Sequence, residues 1–408
     1  MPSTISWLDQ SADEQRRVRE LVQLFSESES RDELGIGQVR DVFSNRLFPG
    51  TSVIQTRTRY FLFIPWTFQQ LQRRGYAGAD LLRRAQESER QLIATMLEEN
   101  HKDGLIGRDA GTRVKTLPSA IYWNGLQQFG VLRPGTSPDA IGRPVESRDV
   151  DDGAQDEQTD RVDSMWHPSI PPPPNGFPKT VAGGFGLTVD EATWFRDLTL
   201  RNAPGTLLAH LMASDDALGP EIVAPWTDPV ARTAPEQVLD LLEEARRFSL
   251  VMHGAALLYN LLLGEAYEAA GHTTVTEPAE RYRADLEAWS SEVAASGAEL
   301  ASWDFDPWWN EVVSHNRRIG PRTRDFVADW LDITRAIGDS GVAVDSRART
   351  LIQNRERATK RGQARLANGR LLKAWNGASG TRPLTYRWST VHRLVSDVIE
   401  EIADSAGA

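Results

Sequence analysis

The run "SLVMHGAALLYNLLLG", from Ser249 to Gly264, constrains this chain more than any other stretch. Between Leu250 and Leu263 it is apolar on every face of a helix and leaves no polar stripe to turn toward water. Such a helix is stable only when other elements surround it, so the chain must supply a shell of further helices. The run is shorter than the roughly 20 residues that cross a bilayer, and it contains His253, Tyr259 and Asn260. It therefore reads as a buried central helix and not as a membrane span, with a break expected near Gly254.

The shell is legible in helix-start signals and apolar stripes. Thr188 and Glu191 in "LTVDEATWFRDLTL" have capping-box spacing, as do Thr233 and Glu236, and Ser11 and Glu14. Val18, Leu21, Val22 and Phe25 follow the last of these at helical spacing. Helical patterns also cover roughly Ile54–Arg74, Asp80–Glu99 and Thr233–Gly271. Val391, Leu394, Val395, Val398, Ile399 and Ile402 form the stripe of a terminal amphipathic helix. Strand signals are few and short. The expected fold class is mainly α, a multi-helix globular protein with a buried central helix and few short strands.

A chain of 408 residues exceeds one typical domain. The expected division is an N-terminal helical domain (1–132), a linker or insertion (133–180), a helical core domain (181–345) and a basic C-terminal segment ending in the amphipathic helix (346–408). The linker reading rests on nine of the 22 prolines, including Pro171–Pro174, and on the acidic run "RDVDDGAQDEQTD".

Several function classes are weakened by missing chemistry. There are no cysteines, which removes disulfides, thiolate metal sites and cysteine nucleophiles together. The N-terminal residues show no basic region followed by an apolar one, so a cytoplasmic protein without a membrane partner is expected. No GxxxxGK[ST] loop is present, "VAGGFGLT" lacks GxGxxG spacing, and "NGASG" at Asn376–Gly380 misplaces the serine of a nucleophile elbow. No two histidines lie at i, i+4. Asp304, Asp306, Glu311 and His315 come nearest to a metal cluster, although acids at a helix start beside packing tryptophans have a simpler structural meaning. His253 in a buried helix reads first as a hydrogen-bonded core histidine. No catalytic residue, metal ligand or cofactor is assigned.

Two stretches suggest a surface for nucleic acid. In "RDELGIGQVRDVFSNRLFPGTSVIQTRTRYFLFIPW", a helix beginning after Pro49-Gly50 would place Ser52, Gln55, Thr56 and Arg59 on one polar stripe beside Arg57. Gln and Arg are the side chains that read adenine and guanine edges in a groove. The alternative is that Arg57 and Arg59 pair with acids inside the fold. The second stretch is stronger. Arg347–Arg393 holds twelve Lys or Arg and one acid, Glu356, so a segment at +11 sits in a chain otherwise at −22. Within it Arg357, Arg361 and Arg365 recur every fourth residue beside Lys360, with Arg355, Arg370 and Arg387 near. A guanidinium stripe on one helix face neutralises phosphates, and Trp375, Tyr386 and Trp388 offer rings for base stacking. Pairing with the chain's own acids is again the alternative.

The blocks "RDELGIGQVRDVFSNRLFPGTSVIQTRTRYFLFIPW", "LTVDEATWFRDLTL", "MHGAALLYNLLL" and "RERATKRGQARL…W.G.SG…YRW" resemble those of an uncharacterised bacterial family known only as a domain of unknown function. The likeness covers nearly the whole chain except the proline-rich span. The family carries no assigned activity, so no residue role is transferred. Its setting near helicase and nuclease genes in phage-defence islands implies an accessory role in antiviral defence, with other defence proteins as partners. The leading expectation is an accessory defence protein that binds DNA or RNA through its basic C-terminal face. A module docking an acidic protein partner and a cryptic metal-dependent hydrolase or nuclease are the alternatives.

Overall fold

The computed structural model describes residues 32–136, 165–219, 224–336 and 341–406. The capping box at Ser11 lies outside them. Among the described residues there are fourteen α-helices and no sheet: α1 Gly37–Leu47, α2 Tyr60–Arg73, α3 Gly78–Glu98, α4 Pro118–Gln128, α5 Val189–Asn202, α6 Leu207–Ala213, α7 Glu236–Ala269, α8 Pro278–Ala295, α9 Gly297–Ser302, α10 Phe305–His315, α11 Pro321–Arg335, α12 Ser346–Lys360, α13 Gly369–Lys373 and α14 Trp388–Ala406. The protein is mainly α, and among the described residues the expected short strands reduce to one antiparallel bridge between Leu132 and Trp166. The chain forms two compact units. One comprises Met1–Phe43 and Leu241–Tyr386, the other Ser44–Asp240 and Arg387–Ala408.

The first unit is organised around α7, which continues unbroken through Gly254. The glycine there is a packing device and not a break. A Cβ on Gly254 would stand 2.2 Å from the indole of Trp289 in α8, closer than any two such atoms approach. Val251, Met252, Ala255, Leu258, Tyr259 and Leu261 are buried, as an all-apolar helix requires. Three aromatic donors reach its backbone: Trp289 Nε1 donates to Leu250 O and Trp330 Nε1 to Val251 O, each at 2.8 Å, and Tyr386 Oη donates to Ala245 O at 2.6 Å. With both lone pairs of those carbonyls in use, the helix is tied to its surroundings by hydrogen bonds as well as by apolar contact. α7 is long and apolar enough to cross a membrane, and 78% of its most apolar window is buried inside the protein. Phe43, Phe248 and Trp308 stack in the same core, and Trp303 and Trp309 are buried beside them.

In the second unit, α2 packs on α3 and α4, and α14 packs on α5 and α6. The capping box at Thr188 forms as expected, with Glu191 N donating to Thr188 Oγ1 and Thr188 N to Glu191 Oε2. The one expected at Thr233 does not. Its hydroxyl donates to Val230 O, and α7 starts after Pro235, whose carbonyl accepts from Val238 N and Leu239 N. The α14 stripe of Val391, Leu394, Val395, Val398 and Ile399 is buried. Within the proline-rich span, Trp166 and Phe177 are buried and Pro171 O accepts from Trp66 Nε1 at 2.6 Å. Residues 137–164 of that span lie outside the described residues.

Glu89 in α3 is buried in this unit and accepts from both Ser119 N (2.7 Å) and Ser119 Oγ (2.8 Å) at the start of α4. Burial pushes its carboxyl from the ordinary 4.5 up to about 7, against the pull of the Ser119 hydrogen bonds. Below pH 4.5 both folded and unfolded states hold the proton; between 4.5 and 7 only the folded state does. Stability therefore falls as pH rises through that window and levels off above it. A Glu89→Gln variant should remove a pH-dependent loss on the order of 3 kcal/mol. Urea midpoints at pH 5 and pH 8 check this: they should converge in the variant, and an unchanged gap would contradict it.

Candidate nucleic-acid interface

Gln55, Arg57 and Arg59 lie in the second unit, and the groove-reading helix expected to carry them does not form. α2 begins at Tyr60, and residues 51–59 make turns because their amides are bound sideways. Gln55, 3% exposed, folds back on the Pro-Gly turn: Nε2 donates to Gly50 O and Oε1 accepts from Ser52 N. Thr56 N and Arg57 N both donate to Tyr122 Oη, at 2.7 and 3.0 Å. Backbone donors spent on a distant side chain are lost to a helix.

The two arginines of this turn are internal clamps. Arg57 pairs with Asp397 of α14 at 2.9 Å and with Asp103 at 3.2 Å. Burial raises the Asp397 carboxyl above its ordinary range, and Arg57 opposes that rise. Arg59 is 2% exposed, pairs with Glu191 at 3.0 Å, and donates through Nη1 to Ala182 O and Gly184 O. "VAGGFGLT" thus serves as a carbonyl cradle for a guanidinium. Arg387 in the same unit donates to Thr51 O at 2.7 Å.

The basic segment falls mainly in the first unit, and its expected stripe is broken. α12 ends at Lys360, Arg361 turns the chain at φ +51°, and Arg365 stands in a separate 3-10 turn. The four-residue period therefore outlasts the helix that would have made it one face.

Half of the cations in question then point inward. Glu356, the one acid of the segment, is 1% exposed. Its Oε1 accepts from Tyr259 Oη and from Arg365 N, each at 2.7 Å, and Oε2 accepts from Leu366 N at 3.3 Å. Glu33, 5% exposed, pairs through Oε2 with Lys360 Nζ and Arg365 Nη1, each at 3.0 Å. Burial, with Glu33 and Glu356 nearby, raises the Tyr259 hydroxyl above its ordinary value, so it stays a donor. Burial works against the Arg365 charge, yet Glu33 and the Tyr259 hydroxyl together outweigh it and the guanidinium is held more firmly protonated. Arg355 grips backbone, donating to Leu34 O (2.6 Å), Gly35 O (2.9 Å) and Arg322 O (3.0 Å). Asp32 meanwhile caps α1 by accepting from Ile36 N and Gly37 N.

Arg357, Arg361 and Arg370 remain exposed, and Arg347 and Lys373 join them. α12, the 3-10 turns Arg361–Gln363 and Arg365–Ala367, and α13 pack on one another, so these cations belong to one compact run. The rings expected to stack bases are closed to them: Trp375, Tyr386 and Trp388 are buried. A second basic run went unread in the sequence. "NRRIGPRTR" holds Arg317, Arg318 and Arg322, all exposed, and the grip of Arg355 on Arg322 O brings this loop to α12. The signal was four arginines without an acid between Glu311 and Asp325.

Among the described residues no three His, Asp or Glu gather as metal ligands, and Asp306 pairs with Arg324. His253 Nε2 donates to Thr381 O at 3.1 Å, and burial lowers its pKa. It lines a cavity of about 370 Å³ with Arg281, Asp285 and Glu292, while Tyr259 and Asn260 turn to Glu356 and Ser379 instead.

The sorting of cations has a stability consequence. Arg365→Ala leaves the buried Glu33 carboxylate with Lys360 as its one remaining counter-charge and should cost roughly 2 kcal/mol. Arg357→Ala, Arg361→Ala and Arg370→Ala should each stay within about 0.5 kcal/mol. Urea titrations of the four variants check this, and equal losses in all four would contradict the inward–outward division.

No curated protein and no solved structure matches this chain. A family model described as a family of unknown function (DUF6361) matches residues 2–406. The quoted sequence blocks that meet around Glu356 and Arg59 thus lie inside one family match, and the chain belongs to the DUF6361 family.

Proposed function

We propose that this protein is a nucleic-acid-binding accessory component of a bacterial antiviral defence system, holding a phosphate backbone on Arg347, Arg357, Arg361, Arg370 and Lys373. The observation that carries the reading is the sorting of charge within residues 346–373. Glu356, the only acid there, is turned inward and hydrogen-bonded, so every exposed charge on that run is positive. Guanidinium and ammonium groups without a protein counter-charge are what a phosphate backbone neutralises as it releases counterions. Outside Arg347–Arg393 the chain carries −22, which repels nucleic acid and favours contact at this face and the adjoining Arg317, Arg318 and Arg322. The defence setting rests on the family resemblance described above.

Fluorescence anisotropy with labelled single- and double-stranded DNA and RNA over a salt series tests the reading. Four or five phosphate contacts predict a slope of log K against log salt of roughly −3 on a single strand. The triple reversal Arg357→Glu, Arg361→Glu, Arg370→Glu should abolish binding while leaving the thermal melt in place. Unchanged binding by that variant would overturn the site. Absence of binding at low salt, with capture of an acidic protein, would overturn the nucleic-acid reading.

A further inference from the structure

Arg357 belongs to the outward cations and also to the wall of a cavity of about 390 Å³ between α7, α12 and the turn at residues 364–367. That volume is within the range of small-molecule pockets, about 300–1,000 Å³. Leu262 and Ala266 of α7 and Leu366 of the turn give it apolar walls.

Most of the charged groups at its edge are already committed. Arg349 pairs with Glu265, and Glu356 accepts from Tyr259 and from two backbone amides. What is left is the exposed Gln353, one turn before Arg357 on the same helix face, and the Arg357 guanidinium itself. An amide offers one acceptor and a pair of donors side by side. A flat ligand with two apolar faces and a donor–acceptor edge fits this lining, and a guanidinium plane stacks on such a face in place of an aromatic ring.

We propose that this cavity receives one unstacked base of a single-stranded nucleic acid, with its face between Leu262, Leu366 and Arg357 and its edge on the Gln353 amide. The inference rests on the phosphate-binding reading above and narrows its substrate to a strand with unpaired bases. A duplex would first have to extrude a base, which costs a few kcal/mol of stacking and pairing. The strand therefore enters backbone-first on the cations, and one base drops beside Arg357.

The test compares three labelled probes of equal phosphate number on the full-length wild-type protein: a mixed-sequence single strand, the same backbone made abasic throughout, and a blunt duplex. The normal strand should bind about tenfold more tightly than both others. Leu366→Trp, which fills the cavity, and the exposed Gln353→Ala should each bring the normal strand down to the abasic affinity without changing the abasic affinity itself. Equal binding of normal and abasic strands by the wild-type protein would overturn the base pocket while leaving the phosphate face standing. Tighter binding of the duplex would overturn it as well. Binding of none of the three would bring down both readings.

Discussion

Glu356 is the contact on which the organisation of the first unit turns. A carboxylate at 1% exposure is tolerable only when its oxygens are met by donors, and here a tyrosine hydroxyl and two backbone amides meet them. Those bonds pull the turn after α12 onto α7. Arg365 then reaches Glu33 together with Lys360, and Arg355 beside it takes the carbonyls of Leu34 and Gly35. The blocks "RDELGIG", "MHGAALLYN" and "RERATKRGQARL" are consequently one structure. The charge consequence follows: the only acid of the segment is used inside, Arg355, Lys360 and Arg365 are tied to backbone carbonyls or to Glu33, and Arg357, Arg361 and Arg370 face water.

The second unit uses the same device. Arg59 and Glu191 are buried together, and Nη1 of the guanidinium also donates to the carbonyls of Ala182 and Gly184. Glu191 also closes the capping box of α5, so one ion pair ties the turn before α2 to the start of another helix. Buried ion pairs contribute little net stability against an apolar replacement, but removing one partner is costly. Such clamps define which segments must meet. They also explain why the polar residues most prominent in the sequence blocks belong to the interior, whereas residues between the clamps, such as Gln353 and Arg357, face water.

Periodicity carried the helices well. The all-apolar run of α7, the stripe of α14 and the capping box at Thr188 each follow from a local rule that the structure obeys. The departures come from long-range bonds that no window contains. Ile54–Arg59 has helical spacing, but Tyr122, more than sixty residues away, takes its amides. Gly254 has the composition of a break, yet the Trp289 indole requires the missing Cβ. The four-residue arginine period continues past Lys360 although the helix does not, because Arg361 adopts a left-handed φ. Spacing alone cannot tell a cation that meets a buried carboxylate from one that meets solvent. Glu33 lies more than three hundred residues before Lys360 and Arg365 and leaves no mark beside them.

The division of one basic segment into inward clamps and outward contacts is the central claim, and arginine-specific labelling read by mass spectrometry tests it most directly. Phenylglyoxal applied to the native protein should modify Arg357, Arg361 and Arg370 quickly while Arg355 and Arg365 resist. Addition of a single-stranded oligonucleotide should then protect the first three. Labelling of Arg355 and Arg365 at the same rate as the others, or no change at Arg357 on adding the strand, would contradict the account.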